Sequence, residues 1–233
     1  MKYVNLQKFE NIQLETEPFD HVVIDNFMKE EYIHKFLEEL EKLTPEQSYY
    51  NGNPNIENTK KAFKNNLGEF IDSIFKELCS DEFIQIIEKL TGITNIIRNN
   101  VELEGAGIHK VYNGGFLTMH KDFNHTHDKD HGLIDRRINL LLYMNPEWRD
   151  EFKGHLCLYD ENKQQIVKKI LPILNRCVIF NTIDSIHGHP EPMNLPENTC
   201  RQSLALYYYT KNTTGIAVNG KQLLPVQWYF DIR

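Results

Sequence analysis

The sequence predicts a mainly β protein: a double-stranded β-helix (jelly roll) with supporting N-terminal α-helices. Two observations carry this. Apolar residues recur at helical spacing up to about residue 95, and from about residue 96 short runs of Val, Ile, Leu, Tyr and Phe alternate with turn residues at intervals suited to an antiparallel sandwich. A third is an absence, since no Gly-rich phosphate loop, GxSxG elbow or HExxH helix interrupts either part. With 233 residues, 40% of them apolar and 11% aromatic, the chain is expected to fold as a single domain over 1–233. A helical support region (about 1–95) would precede the jelly-roll core (about 96–233).

In chain order, FDHVVI at 19–24 reads as a β-branched strand, and Asp25 or Asn26 is placed to cap a helix carrying Ile33, Phe36, Leu37, Leu40 and Leu43. Residues 44–66 are polar, carry turn signals and lack apolar periodicity, so a loop is expected there, either a lid over a site or a tolerated insertion. Leu67, Phe70, Ile71, Ile74, Phe75 and Leu78 mark a second helix. Phe83, Ile86, Ile87 and Leu90 mark a third, capped by Ser80 or Asp81 and stopped by Gly92. Strands are expected at 106–112, 116–120, 137–144, 155–159, 166–171, 176–181, 202–210 and near 226–231.

Bulk properties narrow the function. The 33 acidic against 26 basic side chains give a net charge of −7 without a long basic run, so nucleic acid and anionic membranes are not expected partners. A small molecule or a peptide is. The first residues form no signal-like apolar stretch and no segment is long enough to cross a bilayer, which reads as a soluble cytoplasmic chain. Cys79, Cys157, Cys177 and Cys200 are scattered without a CxxC pair, arguing for free thiols over a zinc knuckle or disulfides.

The chemistry concentrates in GGFLTMHKDFNHTHDKDH. Residues two apart on a strand face the same way, so His120 and Asp122 can both project from the strand at 116–120. Two neutral imidazoles and one carboxylate form the facial triad that holds Fe(II) with open positions. The second histidine is sought at a distant strand end, where RCVIFNTIDSIHGHP supplies both His187 and His189. Gly188 and Pro190 suggest a turn there, so parity leaves both open. His125, His127 and His131 lie in a charged run without strand texture and read as lid or surface residues. Arg201 opens the strand RQSLALYYYT. Its planar fork suits a carboxylate, with Ser203 on the same face. Alternation assigns Tyr207 and Tyr209 to one face and Tyr208 to the other, with packing the expected role of all three.

With HxD, a distal histidine and a following arginine in that order, the chain resembles the 2-oxoglutarate and Fe(II)-dependent oxygenases, in their prolyl 4-hydroxylase-like branch. Tyr112, Gly115, His120 and Asp122 fit the segment Y-x-x-G-x-x-x-x-H-x-D. Tyr143, Asn145, Trp148, Gly154, Leu156 and Leu158 fit Y-L-N-x-x-W followed by G-G-x-L-x-L, with Lys153 in place of the first glycine. The resemblance covers about 106–210. The S-I-H form at Ser185 to His187 favours His187 as the third ligand, although the interval to Arg201 is long and keeps His189 as the alternative.

The resemblance implies iron on His120, Asp122 and His187, and 2-oxoglutarate as cosubstrate with its far carboxylate on Arg201, helped by Tyr143 and Ser203. It implies Tyr112 in the cosubstrate pocket, O2 as oxidant and ascorbate as a candidate reductant. The implied reaction is hydroxylation of an unactivated C–H bond, with a prolyl residue of a peptide or protein as the leading substrate and a free amino acid or other small metabolite as the alternative. Arg136, before the strand INLLLYMN, is a candidate for pairing with a substrate carboxylate. A non-catalytic, cupin-like metal-binding barrel is the competing class, and Arg201 with Tyr143 is the feature it does not need.

Overall fold

The computed structural model describes residues 1–50, 52–98, 106–216 and 223–232. Its elements are β1 (His21–Asp25), α1 (Ile33–Glu41), β2 (Lys60–Phe63), α2 (Glu69–Leu78), α3 (Asp81–Thr91), β3 (Gly107–Val111), β4 (Leu117–Lys121), β5 (His125–Asp128), β6 (Gly132–Tyr143), β7 (Leu156–Asp160), β8 (Gln165–Ile170), β9 (Arg176–Asn181), β10 (Ile186–His189), β11 (Arg201–Lys211) and β12 (Gln227–Tyr229). A major sheet runs β1-β9-β6-β11-β3-β2, with β5 on the end of β6. A minor sheet runs β12-β4-β10-β7-β8. Every pairing between these strands is antiparallel. Among the described residues no helix is long and apolar enough to cross a membrane.

Strand alternation explains the layering. On β6, β9 and β11, one set of side chains (Leu140, Leu142, Cys177, Ile179, Leu204, Leu206) packs with Ile71, Ile74 and Leu78 of α2 and Phe83, Ile84 and Ile87 of α3. The opposite set (Tyr143, Val178, Phe180) meets Leu156, Leu158 and Ile170 of the minor sheet. The major sheet is therefore a shared wall between the helical layer and the jelly-roll interior. Phe36 and Leu40, which define the buried stripe of α1, are 0% and 1% exposed. Each contributes about 1.5–3 kcal/mol by leaving water.

Several boundaries match the expectations and their reasons. Ser80 is the N-cap of α3, its Oγ accepting from Phe83 N at 3.3 Å, and Gly92 ends that helix in the left-handed region at φ 71°. Four expectations change. Asp25 and Asn26 do not cap α1: Asp25 closes β1 and takes both arms of Arg176 at 2.6 and 2.8 Å, Asn26 turns the chain at φ 56°, and a 3-10 turn at Glu30–Tyr32 leads into the helix. Segment 44–66 is not all loop, because KKAF forms β2 on the sheet edge, its two lysines masking the buried Ala62 and Phe63. HTHD forms β5, held by pairing with β6 rather than by apolar texture. IHGH forms β10 instead of a turn, because pairing on both sides by β4 and β7 overrides the local preference of Gly188.

Candidate metal centre

His120 on β4 and His187 on β10 are directly opposite in the minor sheet. The register between these strands then slips, so that His189 faces Leu117 and β4 carries one extra residue. The bulge explains why Leu117 and His120, three apart, both line the same cavity of about 390 Å³. Gly188 sits between the histidines, where a Cβ would come within 2.9 Å of Leu117 O.

Among the described residues, His120, Asp122 and His187 bring their donor atoms within 4.8 Å of one another. Asp122 Oδ1 lies 3.6 Å from His120 Nε2, and Oδ2 lies 3.6 Å from His187 Nε2. Each imidazole turns its Nδ1 to the carbonyl two residues earlier, at 2.9 Å on Thr118 and 3.2 Å on Ser185. With the proton on Nδ1, the Nε2 lone pairs point at the carboxylate. Burial, reinforced by His120, pushes His187 down to about 4 and so keeps it neutral. Burial alone would raise Asp122, but Arg136 and the two imidazoles hold it well below the usual carboxylate range. Neutral imidazoles and an ionised carboxylate are the forms in which these side chains bind a divalent cation, so the donor set fits one. His189 is outside this group, lining the cavity while burial and nearby Arg201 keep it neutral. His125, His127 and His131 are outside it too; His125 and His127 ride on β5, and His131 Nδ1 bonds Asp128 at 2.6 Å.

The buried Arg201 donates from Nε to Gly154 O at 2.7 Å and from Nη2 to the Tyr143 hydroxyl at 3.2 Å. Ser203 is opposite Tyr143 in the β11–β6 register, and Arg201 and Ser203 both line the cavity. A fixed guanidinium beside two hydroxyls can receive a carboxylate in bidentate fashion. Tyr112 follows the end of β3, where Val111 takes the inward position; like Tyr143 it is not part of the cavity lining, and its backbone is tied to Thr59.

Arg136 lines the same cavity and is already paired there. Only 4% exposed, it places Nη2 3.0 Å from Asp122 Oδ2, donates to Asn139 Oδ1 from Nε and Nη2, and stacks 3.7 Å over the Tyr207 ring. Its charge is matched by Asp122. Asn139 completes the clamp by donating to the same Oδ2 at 2.7 Å. Sequence reasoning missed Asn139, though an amide two and four residues before Leu141 and Tyr143 on one strand face was a usable signal. It also missed Trp228, whose ring lies 5.0 Å from that of His120, and the buried Glu57, which accepts from Tyr50 and lies 3.0 Å from Lys60 Nζ in the cavity wall.

The sequence pattern of the 2OG-Fe(II) oxygenase superfamily matches residues 106–209. Curated relatives include prolyl 3-hydroxylase OGFOD1 of Mus musculus, 27% identical over 211 residues that cover 88% of this chain and 35% of that protein, and its Xenopus laevis counterpart, 27% identical over 208 residues covering 87% and 37%. The chain thus spans about a third of the length of these relatives. Solved structures with a similar fold include a Pseudomonas putida prolyl-4-hydroxylase (TM-score 0.59, 14% identity, covering 82% of this chain and 92% of that one). HygX from Streptomyces hygroscopicus, with nickel and 2-oxoglutarate bound, is another (TM-score 0.57, 11% identity, covering 91% and 94%).

Proposed function

We propose that this chain is a member of the 2-oxoglutarate and Fe(II)-dependent oxygenase superfamily and hydroxylates an unactivated C–H bond of a prolyl residue in a peptide or protein. One observation carries the reading: a His–Asp–His donor set and a buried arginine with hydroxyl neighbours open into the same cavity. His120, Asp122 and His187 would hold the iron. Arg201, with Tyr143 and Ser203, would hold the far carboxylate of 2-oxoglutarate. A metal-binding barrel without oxygenase activity has no use for that second group. When bound, the iron and cosubstrate supply the oxidising chemistry, in which 2-oxoglutarate and O2 become succinate and CO2 as C–H becomes C–OH.

The protein's own residues set the conditions. Asn139 and Arg136 both hold Asp122 Oδ2, which fixes the orientation of the carboxylate that would help hold the metal. Gly154 O and Tyr143 fix the Arg201 fork before the dicarboxylate arrives, which reduces the ordering cost of binding. The curated relatives are named as prolyl 3-hydroxylases, which supports the prolyl substrate over a free amino acid or other small metabolite. The four described cysteines are free, which supports a reducing, cytoplasmic setting.

The test is succinate formation by iron-loaded protein in air, screened over prolyl peptides, free amino acids and a metabolite extract, with uncoupled turnover subtracted. Turnover with a prolyl peptide, abolished in His120→Ala and Asp122→Ala and retained in His127→Ala, is the expected result. Absent or iron-independent turnover with every substrate would sink the enzyme reading.

A further inference from the structure

We propose that Trp228 is the wall of the substrate compartment that selects a prolyl ring at the reacting position; the inference rests on the oxygenase reading above. β12 adds to the minor sheet beside β4 and sets Trp228 opposite His120. His120 is opposite His187, and His187 is opposite Leu158. A single rung therefore runs Trp228, His120, His187, Leu158 across four adjacent strands, and residues on one rung share a sheet face. The indole and the His120 imidazole lie with centroids 5.0 Å apart and planes at 33°, and Trp228 and Val226 both line the cavity. The strand is pinned just before this point, where Leu224 exchanges hydrogen bonds with Asn124 at 2.8 and 3.2 Å.

Topology divides the cavity. Arg201 is anchored on Gly154, just before β7, and β7 flanks β10 on the side away from β4. Trp228 flanks β4 on the side away from β10. The carboxylate-binding group and the indole thus stand on opposite flanks of the two strands that carry His120 and His187. A cosubstrate reaching from Arg201 to the donor set leaves the β12 flank to the substrate. The major sheet contributes Tyr207 to the lining there, its ring stacked against Arg136, whose charge is already matched by Asp122. On this flank Glu57, bridged to Leu117 of β4, and Lys60 pair with each other at 3.0 Å, as Arg136 does with Asp122, so the surface left for a substrate is that of Trp228, Tyr207 and Val226. The negative π surfaces of the two aromatic residues suit a compact saturated ring whose C–H bonds are polarised by an adjacent amide nitrogen. A prolyl residue has that chemistry; an alanyl residue lacks the ring.

The deciding experiment titrates a blocked proline-containing peptide, and its alanine counterpart, into Mn(II)- and 2-oxoglutarate-loaded protein by calorimetry. Wild type, Trp228→Ala and Trp228→Phe are compared, with Mn(II) affinity measured on the same preparations. Wild type is expected to prefer the prolyl peptide. Trp228→Ala should weaken it by about tenfold or more, abolish the preference over alanine and shift Mn(II) affinity by less than about threefold, while Trp228→Phe restores most of the preference. Unchanged peptide affinity in Trp228→Ala, or a loss of Mn(II) affinity equal to the loss of peptide affinity, overturns the role of Trp228. Wild-type protein that loads Mn(II) and 2-oxoglutarate but binds the two peptides equally or not at all overturns prolyl selection while leaving the oxygenase reading standing. Failure to bind 2-oxoglutarate would sink the reading beneath it.

Discussion

Asp122 is the residue on which the proposed centre turns, because it carries the one formal negative charge in the donor set and shares it with a buried arginine. Removing Asn139 leaves Oδ2 with Arg136 alone and frees the carboxylate to rotate. Asn139→Ala is expected to weaken Mn(II) or Co(II) binding by about 10–100-fold in calorimetric titration; unchanged affinity would remove Asn139 from the centre. The buried histidines set a second, pH-dependent property. His21, His187 and His189 are all held neutral by burial, with His187 down at about 4. Below the ordinary histidine value of about 6.5 the unfolded chain takes up protons that the folded chain refuses, so their stabilisation is full above that pH and is lost as pH falls toward the folded values. Thermal melts of metal-free protein should therefore show a lower midpoint at pH 5.5 than at pH 7.5, with a slope of up to about 1.4 kcal/mol per pH unit per histidine. A midpoint that holds or rises on acidification would contradict this. At this scale the sequence was informative where chemistry repeats in short patterns, as at His120, Asp122 and Arg201. It was less informative for Arg136 and Tyr112, because strand alternation does not encode that Arg136 lines the cavity already paired with Asp122, or that Val111 takes the inward position beside Tyr112.

At the level of elements, the least legible pieces were the ones whose existence depends on partners. β2, β5 and β10 are four residues each and carry lysines, histidines or glycine where apolar alternation would be expected. Cross-strand hydrogen bonds recruit them, and local propensity gives no hint of it. The helices and the long strands β6, β9 and β11 were legible because their periodic apolar faces are required by burial on the shared sheet. The dependence of β2 on β3 can be tested at Gly107, where an added Cβ would lie 2.2 Å from Phe63 O in a backbone at φ 148°. Gly107→Ala should push β2 off its neighbour and destabilise the fold by about 1–3 kcal/mol, read by urea unfolding. Stability equal to wild type would show that the edge pairing contributes little.

For the whole molecule, the donor set joins β4 to β10, strands separated by some sixty residues of chain that include β5 to β9. An ion bound there links the folded state across the minor sheet and has no equivalent site in the unfolded chain. At 100 times its dissociation constant it should add about 2.7 kcal/mol, which for a chain of this size is roughly 5–10 °C in melting midpoint. Wild-type protein titrated with Mn(II) should show that rise and His120→Ala should not; equal shifts in both would place the ion elsewhere.

The strand β11 also limits how this chain can change over time. It turns Arg201, Ser203 and Tyr207 to the cavity and Leu204, Leu206 and Tyr208 to the helical layer, with the Tyr208 hydroxyl bonded to Leu78 O at the end of α2. Side-chain direction reverses at every residue, so the strand has a reading frame. Losing one residue between Ser203 and Tyr207 would exchange the two sets, moving polar side chains into the hydrocarbon layer or leucines into the cavity. Substitutions along β11 can accumulate one at a time, whereas a single insertion or deletion there would disrupt the fold and the proposed chemistry together. Length variation in this lineage should therefore collect outside β11, and a library of one-residue deletions scored for soluble expression would map that boundary directly.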